Sequence, residues 1–292
     1  AYITEANECA QVFLQEVFDR TLSSRDRKIF HDLNPKSEGH WYYTDMLNFH
    51  EEQQINNPQY GYNYGHFTIA DNMSVSDEQL KVAIDTYDKK SVWYQRDILG
   101  KRRQAEGLVY PMFDPTPDGC HVVPTIPRPY SEYQVSVDYG IQNATSMGLW
   151  GKYDGLWYRV KEYYHSGRES KEQKTDAEYY DELVKLVGNI QPKRIILDPS
   201  AASFITLIRR INKYTAIPAD NTVLDGIRNT ATALSKGNIK FNDCCKASIR
   251  EFGLYAWDEK SPEDKPLKEN DHAMDEIRYF VQLNKLGLPA PK

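Results

Sequence analysis

Two apolar runs in this chain end in the same way, and that shared ending constrains the fold more than any other feature. Gln134-Val135-Ser136-Val137-Asp138-Tyr139-Gly140 and Arg194-Ile195-Ile196-Leu197-Asp198-Pro199-Ser200 each carry β-branched residues into an acid. A glycine, or a proline and a serine, then stops the strand. In open α/β sheets ligands bind beyond the carboxyl ends of the strands, which is where Asp138 and Asp198 would sit. A third acid lies in 270–280, which reads as a helix with Asn270 or Asp271 as N-cap and Met274, Ile277 and Val281 recurring at helical spacing. His272, Asp275 and Tyr279 share a neighbouring face of that helix. Asp271 is expected to cap it, and Glu276, rotated by about 100° per residue, to face solvent.

Three carboxylates without sulfur or a histidine cluster select hard cations such as Mg²⁺ or Mn²⁺ rather than zinc. Two strand acids and one helix acid could hold two such metals for in-line attack on a phosphodiester. His272 is assigned to the same site as a ligand, a supporting group or a proton carrier. The net charge of −6 excludes a broadly basic nucleic-acid binder, so contact with DNA must come from a local patch. The cationic run Arg168, Lys171, Lys174 is the choice for that patch, since it follows the strands next to Asp138. The four cysteines have no CxxC spacing and are read as reduced, in a cytosolic protein, and no apolar run reaches membrane-spanning length.

A chain of 292 residues allows one large domain or two ordinary ones. Between 107 and 130 there are six prolines, two glycines and no helical period, which predicts a linker dividing 1–106 from 131–292. Beyond it, strand 134–140 is followed by alternating runs 146–153 and 156–164, joined at Asp154-Gly155 as a hairpin. Helices over 175–187, 201–211, 222–234 and 245–258 then alternate with strands over 193–198, 216–218 and 238–241, before the closing helix. Three antiparallel strands followed by alternating helices and strands give the layout of a ribonuclease H-like α/β fold, with a mixed central sheet flanked by helices. Before the linker, Tyr2-Ile3-Thr4-Glu5 has the form of a Walker B strand ending in an acid, with a helix over 9–21 after it. Short strands are expected in 27–35 and 64–72, and helices over 76–85 and 90–99. No GxxxxGK[ST] loop occurs in the sequence, so the phosphate cradle of an ATPase is missing.

Taken together, these segments resemble the large terminase subunit of tailed bacteriophages, the motor-nuclease that packages DNA. The resemblance spans nearly the whole chain. It is carried by Val137-Asp138-Tyr139-Gly140, Ile196-Leu197-Asp198-Pro199-Ser200, Gly226-Ile227-Arg228 and Asn270-Asp271-His272-Ala273-Met274-Asp275-Glu276-Ile277-Arg278-Tyr279. Upstream it is carried by Thr68-Ile69-Ala70-Asp71-Asn72 and by Trp93-Tyr94-Gln95-Arg96-Asp97-Ile98-Leu99-Gly100. The resemblance implies that Asp138, Asp198 and Asp275 are the nuclease carboxylates, with His272 beside the last of them. It implies that Glu5 is the catalytic acid of the ATPase and that 32–41, with Asn34, couples hydrolysis to movement. Thr4 departs from the family, which has a second acid there. The chain thus looks like a partial P-loop ATPase domain lacking Walker A, followed by the nuclease; ATP would act only in the full-length motor. Implied partners are double-stranded DNA, the small terminase subunit and the portal protein of the procapsid, in the cytoplasm of the infected host. Two other classes stay open on the residues alone: another ribonuclease H-like nuclease such as a junction resolvase or recombinase, and a non-catalytic docking module.

Overall fold

The computed structural model describes residues 1–37, 39–87, 89, 91–103, 105–116, 120–140, 143–166 and 173–287. The chain forms two compact units, one from Ala1–Ala105 with Asp258–Lys265 and one from Glu106–Trp257 with Pro266–Lys292.

In the first unit, β1 (Tyr2–Ile3) and β2 (Phe30–His31) pair in parallel. The unit also contains α1 (Gln11–Arg20), α2 (Asn48–Asn56) and α3 (Asp77–Thr86). Ser76 and Gln79 form the capping box that opens α3. A small core of Ile3, Ala6, Leu14, Tyr42, Tyr43 and Leu47 holds the unit together. One expectation is corrected here. The strand expected in 64–72 is a short 3₁₀ turn, Ile69–Asp71, because the Thr68 hydroxyl and amide both donate to the Asp71 carboxylate and close the chain on itself. The helix expected over 90–99 is present over 92–98, wound as a π-helix at Tyr94–Ile98, and from it the buried Arg96 guanidinium reaches Asp264 and the Arg103 carbonyl.

The second unit is built on a seven-stranded mixed sheet. Its strands are β3 (Val122–Val123), β4 (Glu132–Asp138), β5 (Ala144–Tyr153), β6 (Leu156–Ser166), β7 (Ile195–Leu197), β8 (Ala216–Pro218) and β9 (Ile239–Asn242). Their order is β3-β9-β6-β5-β4-β7-β8, with β4, β5 and β6 antiparallel and the outer pairs parallel. The β5–β6 hairpin turns at Asp154-Gly155, both at positive φ (50° and 76°), as a two-residue primed turn requires. Among the described residues the unit's helices are α4 (Asp176–Val187), α5 (Ala202–Ile211), α6 (Val223–Ser235), α7 (Lys246–Phe252) and α8 (His272–Leu283), the first three alternating with β7, β8 and β9.

Strand alternation sorts the sheet into two faces. Val135, Val137, Met147, Leu149, Ile195 and Leu197 pack against Tyr179, Leu183, Phe204 and Ile208 of α4 and α5. On the opposite face Trp150 stacks flat on Phe280 of α8, with ring centroids 4.0 Å apart. Gln134, Ser136 and Asp138 also point to this second face, and α8 lies across them.

The stretch 107–130, expected to be a linker, belongs to this unit. Phe113 stacks on Phe252 at 3.9 Å, Tyr110 is buried, and β3 pairs with β9 at the sheet edge. Aromatic and β-branched residues between the prolines are what dock it. The helix expected over 245–258 ends at Phe252, where Gly253 caps it, and Ala256 and Trp257 form isolated bridges instead.

Candidate functional site

Asp138 is the last residue of β4 and Asp198 follows β7 directly. The two strands pair in parallel with Val137 opposite Leu197, so both acids emerge side by side on the α8 face. Asp275 arrives from the first turn of α8. Between them stands Tyr279, whose hydroxyl donates to Asp198 Oδ2 at 2.6 Å and lies 3.5 Å from Asp138 Oδ1. His272 Nδ1 is 2.9 Å from Asp138 Oδ2. The structure therefore brings together Asp138, Asp198, His272 and Tyr279, with Asp275 near enough for its charge to act on Asp138 and Tyr279.

The electrostatics follow from this crowding. Burial pushes Asp138 up to about 6; the His272 hydrogen bond works against that, and the Asp275 and Asp271 charges work with it. Burial also raises Asp271. Asp198 moves the other way: burial opposes ionisation, but the Tyr279 hydroxyl, the Ser200 amide at 2.7 Å and the Arg278 charge together hold it low. His272 is raised, since its bond to Asp138 and the surrounding carboxylates outweigh burial. Burial and the charges of Asp138 and Asp275 raise the Tyr279 phenol. Asp275 is gripped by the buried Arg278, Nη2 to Oδ1 at 2.9 Å, and Lys268 Nζ stands 3.8 Å from its other oxygen. Among the described residues, no three His, Cys, Asp or Glu side chains stand arranged as a ready metal cage.

Two roles expected from the sequence are corrected. Glu276 is not solvated but fully buried, paired with an equally buried Arg159 and accepting from Ser136 and Trp150 Nε1. It lies four residues after His272 and three before Tyr279, on the stripe that α8 lays against the sheet. Gly148 of β5 makes room for this pair, because a Cβ there would fall 2.0 Å from Arg159 Nη1 and 2.6 Å from Glu276 Oε1. Asp271 occupies the N-cap position but makes no side-chain cap. Its carboxylate is buried, 3.9 Å from His272 Nε2 and 3.6 Å from Lys268 Nζ. The free amide of Ala273 donates instead to Glu251 Oε2 at 2.7 Å.

The cationic patch is only partly in view. Arg168 and Lys171 lie outside the described residues, and the Lys174 ammonium is engaged by Tyr163 at 3.0 Å and Glu182 at 3.1 Å. In the first unit Glu5 and Asn34 do meet: Asn34 Nδ2 donates to Glu5 Oε1 at 2.9 Å, and the Glu5 amide donates to Asp32 Oδ1 at 2.9 Å. Glu5 adopts positive φ (49°), a strained conformation for a non-glycine residue just after β1. That unit also contains an aromatic cavity of about 1150 Å³ lined by His31, Tyr42, His50, Tyr62 and Arg96 among others, and none of the acidic cluster lines it. Arg159, Glu251, Lys268 and Arg278 were not singled out from the sequence. Only the i,i+3 spacing of Asp275 and Arg278 on a helix could have flagged one of them.

No family model matches the chain. It is similar to the large terminase subunit of Escherichia phage T5, 26% identical over 157 residues, which cover 51% of this chain and 35% of that protein. The matched part therefore spans about a third of that curated relative. Among solved structures it is similar to the large terminase of a thermophilic bacteriophage, at 45% identity and a TM-score of 0.84, covering 97% of this chain and 68% of that one. The same phage's terminase in complex with ATP-gamma-S matches at 44% identity with a TM-score of 0.83, covering 96% of this chain and 69% of that one. With two thirds of a relative at this identity covered, the chain belongs to the large terminase family of bacteriophages.

Proposed function

We propose that this chain carries the metal-dependent endonuclease of a phage DNA-packaging terminase, in a ribonuclease H-like unit over Glu106–Trp257 and Pro266–Lys292. In the same proposal Ala1–Ala105 is the end of the ATPase domain. The observation that carries the nuclease reading is the meeting of Asp138 and Asp198 at the carboxyl ends of β4 and β7, bridged by Tyr279, with His272 on Asp138 and the charge of Asp275 acting there from α8. The donor set fits Mg²⁺ or Mn²⁺, because all three ligands are hard oxygens and the burial and the Asp275 charge that disfavour the Asp138 carboxylate are what a divalent cation would offset. In this reading Asp138, Asp198 and Asp275 hold two metal ions, which when bound supply Lewis acidity and an activated water for hydrolysis of the phosphodiester.

The chain's own residues prepare the site. Tyr279 and the Ser200 amide aim the Asp198 carboxylate, and Arg278 orients Asp275. His272 holds a proton within reach of Asp138, where it is suited to pass one to a departing oxygen. In the first unit Glu5, oriented by Asn34, is assigned the water-polarising role in the full-length ATP-driven motor. Membership of the family supports double-stranded DNA, the small terminase subunit and the portal protein as partners, in the host cytoplasm.

Supercoiled plasmid incubated with Mn²⁺ tests the reading. Nicking and linearisation are expected with metal, little sequence preference is expected, and Asp138→Ala, Asp198→Ala and Asp275→Ala should each remove most activity. Cleavage that persists in excess EDTA would refute it. Preferential cutting of synthetic four-way junctions would instead identify a resolvase.

A further inference from the structure

The helix that delivers His272 and Asp275 has no side-chain cap of its own, and the carboxylate that caps it comes from a different element. Glu251, in the last turn of α7, is fully buried and uses both oxygens: Oε2 accepts from the Ala273 amide at 2.7 Å and Oε1 from the Tyr164 hydroxyl of β6 at 2.6 Å. The helix carrying Glu251 is held in the same manner. α7 also lacks its own side-chain cap, and Glu162 of β6 accepts from the Ala247 amide at 2.6 Å and the Ser248 amide at 3.2 Å. A chain of buried caps thus runs from β6 through α7 to the first turn of α8.

An isolated buried carboxylate is costly, and an ordinary cap from Asp271 would satisfy the same amide more simply. Asp271 occupies the position for it, yet its side chain turns toward His272 and Lys268. Capping from Glu251 leaves Asp271 to face the cluster and ties the helix to the sheet that carries Asp138. Ala273, the capped residue, is fully buried and sits between His272 and Asp275.

We propose that Glu251 is a positioning residue of the acidic site: by capping α8 at Ala273 it fixes the turn that carries His272 and Asp275, and so sets how tightly the site takes a divalent cation. This rests on the metal-site reading above, and groups that orient metal ligands without touching the ion typically contribute about 10–100-fold in affinity or activity.

The test measures Mn²⁺ affinity by calorimetry, in the absence of DNA, for wild type, Glu251→Ala, Glu251→Gln and Tyr164→Phe. Glu251→Ala should bind Mn²⁺ roughly tenfold or more weakly. Glu251→Gln keeps an oxygen that can accept from Ala273 and should recover most of that loss. With plasmid as substrate, kcat should fall in Glu251→Ala while KM for DNA stays put. The Ala273 amide should also exchange with solvent faster in Glu251→Ala. A variant that melts lower but binds Mn²⁺ and cuts like wild type would overturn the proposal and leave Glu251 as scaffold alone. Should Glu251→Ala not fold, Tyr164→Phe decides: it loosens the same carboxylate, roughly threefold weaker binding is expected, and unchanged affinity overturns the proposal. Wild type that fails to bind Mn²⁺ would refute the metal-site reading itself, and this proposal with it.

Discussion

Replacing Asp138 by Asn removes a charge that the folded protein carries at a cost, and the cost can be worked out from its surroundings. The Asp138 carboxylate sits among Asp275 and Asp271 with its side chain 15% exposed, and burial pushes it from an ordinary value of 3.8 up to about 6. The folded state therefore holds this proton longer than the unfolded chain does. The contribution is present in full below 3.8 and is lost as pH rises through about 6. At about 1.36 kcal/mol per tenfold change in proton affinity, the ionised group costs the folded protein up to about 3 kcal/mol at pH 7.5. Loss of a charged partner for His272 offsets part of this, so a gain of about 1–3 kcal/mol is expected for the Asn variant. For a chain of this size that is a rise in Tm of roughly 2–8 °C. Melting curves of wild type and Asp138→Asn in EDTA, from pH 4 to pH 8, should lie closest at the acid end, separate between about pH 4 and 6, and keep a constant gap above that. In Mn²⁺ the order should shift, since a cation bound at a hundredfold excess over its Kd adds roughly 2.7 kcal/mol to wild type and little to the variant. A gap independent of pH, or a variant less stable throughout, would refute the crowding argument. Asp154→Asn, at the hairpin tip, is the control and should respond to Mn²⁺ like wild type.

Glu276→Gln leaves the buried Arg159 with only Glu162, 3.5 Å from its Nε, as counter-charge and should lower stability by up to about 3–5 kcal/mol in urea unfolding, whereas replacing Arg159 and Glu276 by Met should recover most of the loss. Gly148→Ala drives a methyl into the same pair and should lower stability by about 1–3 kcal/mol, again read by urea midpoint; an unchanged midpoint would contradict the packing described. Because no phosphate-binding loop occurs in this sequence, the chain alone should release no phosphate from ATP above background; turnover abolished by Glu5→Gln would show the opposite.

The acids on the strands were legible because two simple rules coincide there. Period-two alternation places Asp138 and Asp198 on one face, and an abrupt strand stop places both at the carboxyl end. His272, Asp275 and Tyr279 were legible from helical spacing in the same way. Long-range pairing was not. Glu276 was expected in solvent because nothing local points to Arg159, which lies 117 residues away in sequence. Asp271 was expected to cap because that is what an acid at a helix start ordinarily does, and the competing cap, Glu251, comes from a separate helix. The stretch 107–130 was expected to be a linker because its prolines exclude helix. Proline content carries no information about whether the residues between them dock, and Tyr110, Phe113 and Val122 do.

The parallel pairing of β4 with β7 has a consequence for motion. Strands in register are spaced about 4.8 Å apart by their own hydrogen bonds, so Asp138 and Asp198 form a jaw whose opening is set by the backbone and changes only if the sheet itself opens. Asp275 rides on a helix held over the sheet by side chains, Trp150 on Phe280 and Arg159 on Glu276 among them. The site is therefore a vise with one fixed jaw and one adjustable jaw. In the proposed nuclease, adjustments that fit the site to ions or to a phosphodiester strand should appear as slides and tilts of α8, while the strand ends stay where they are.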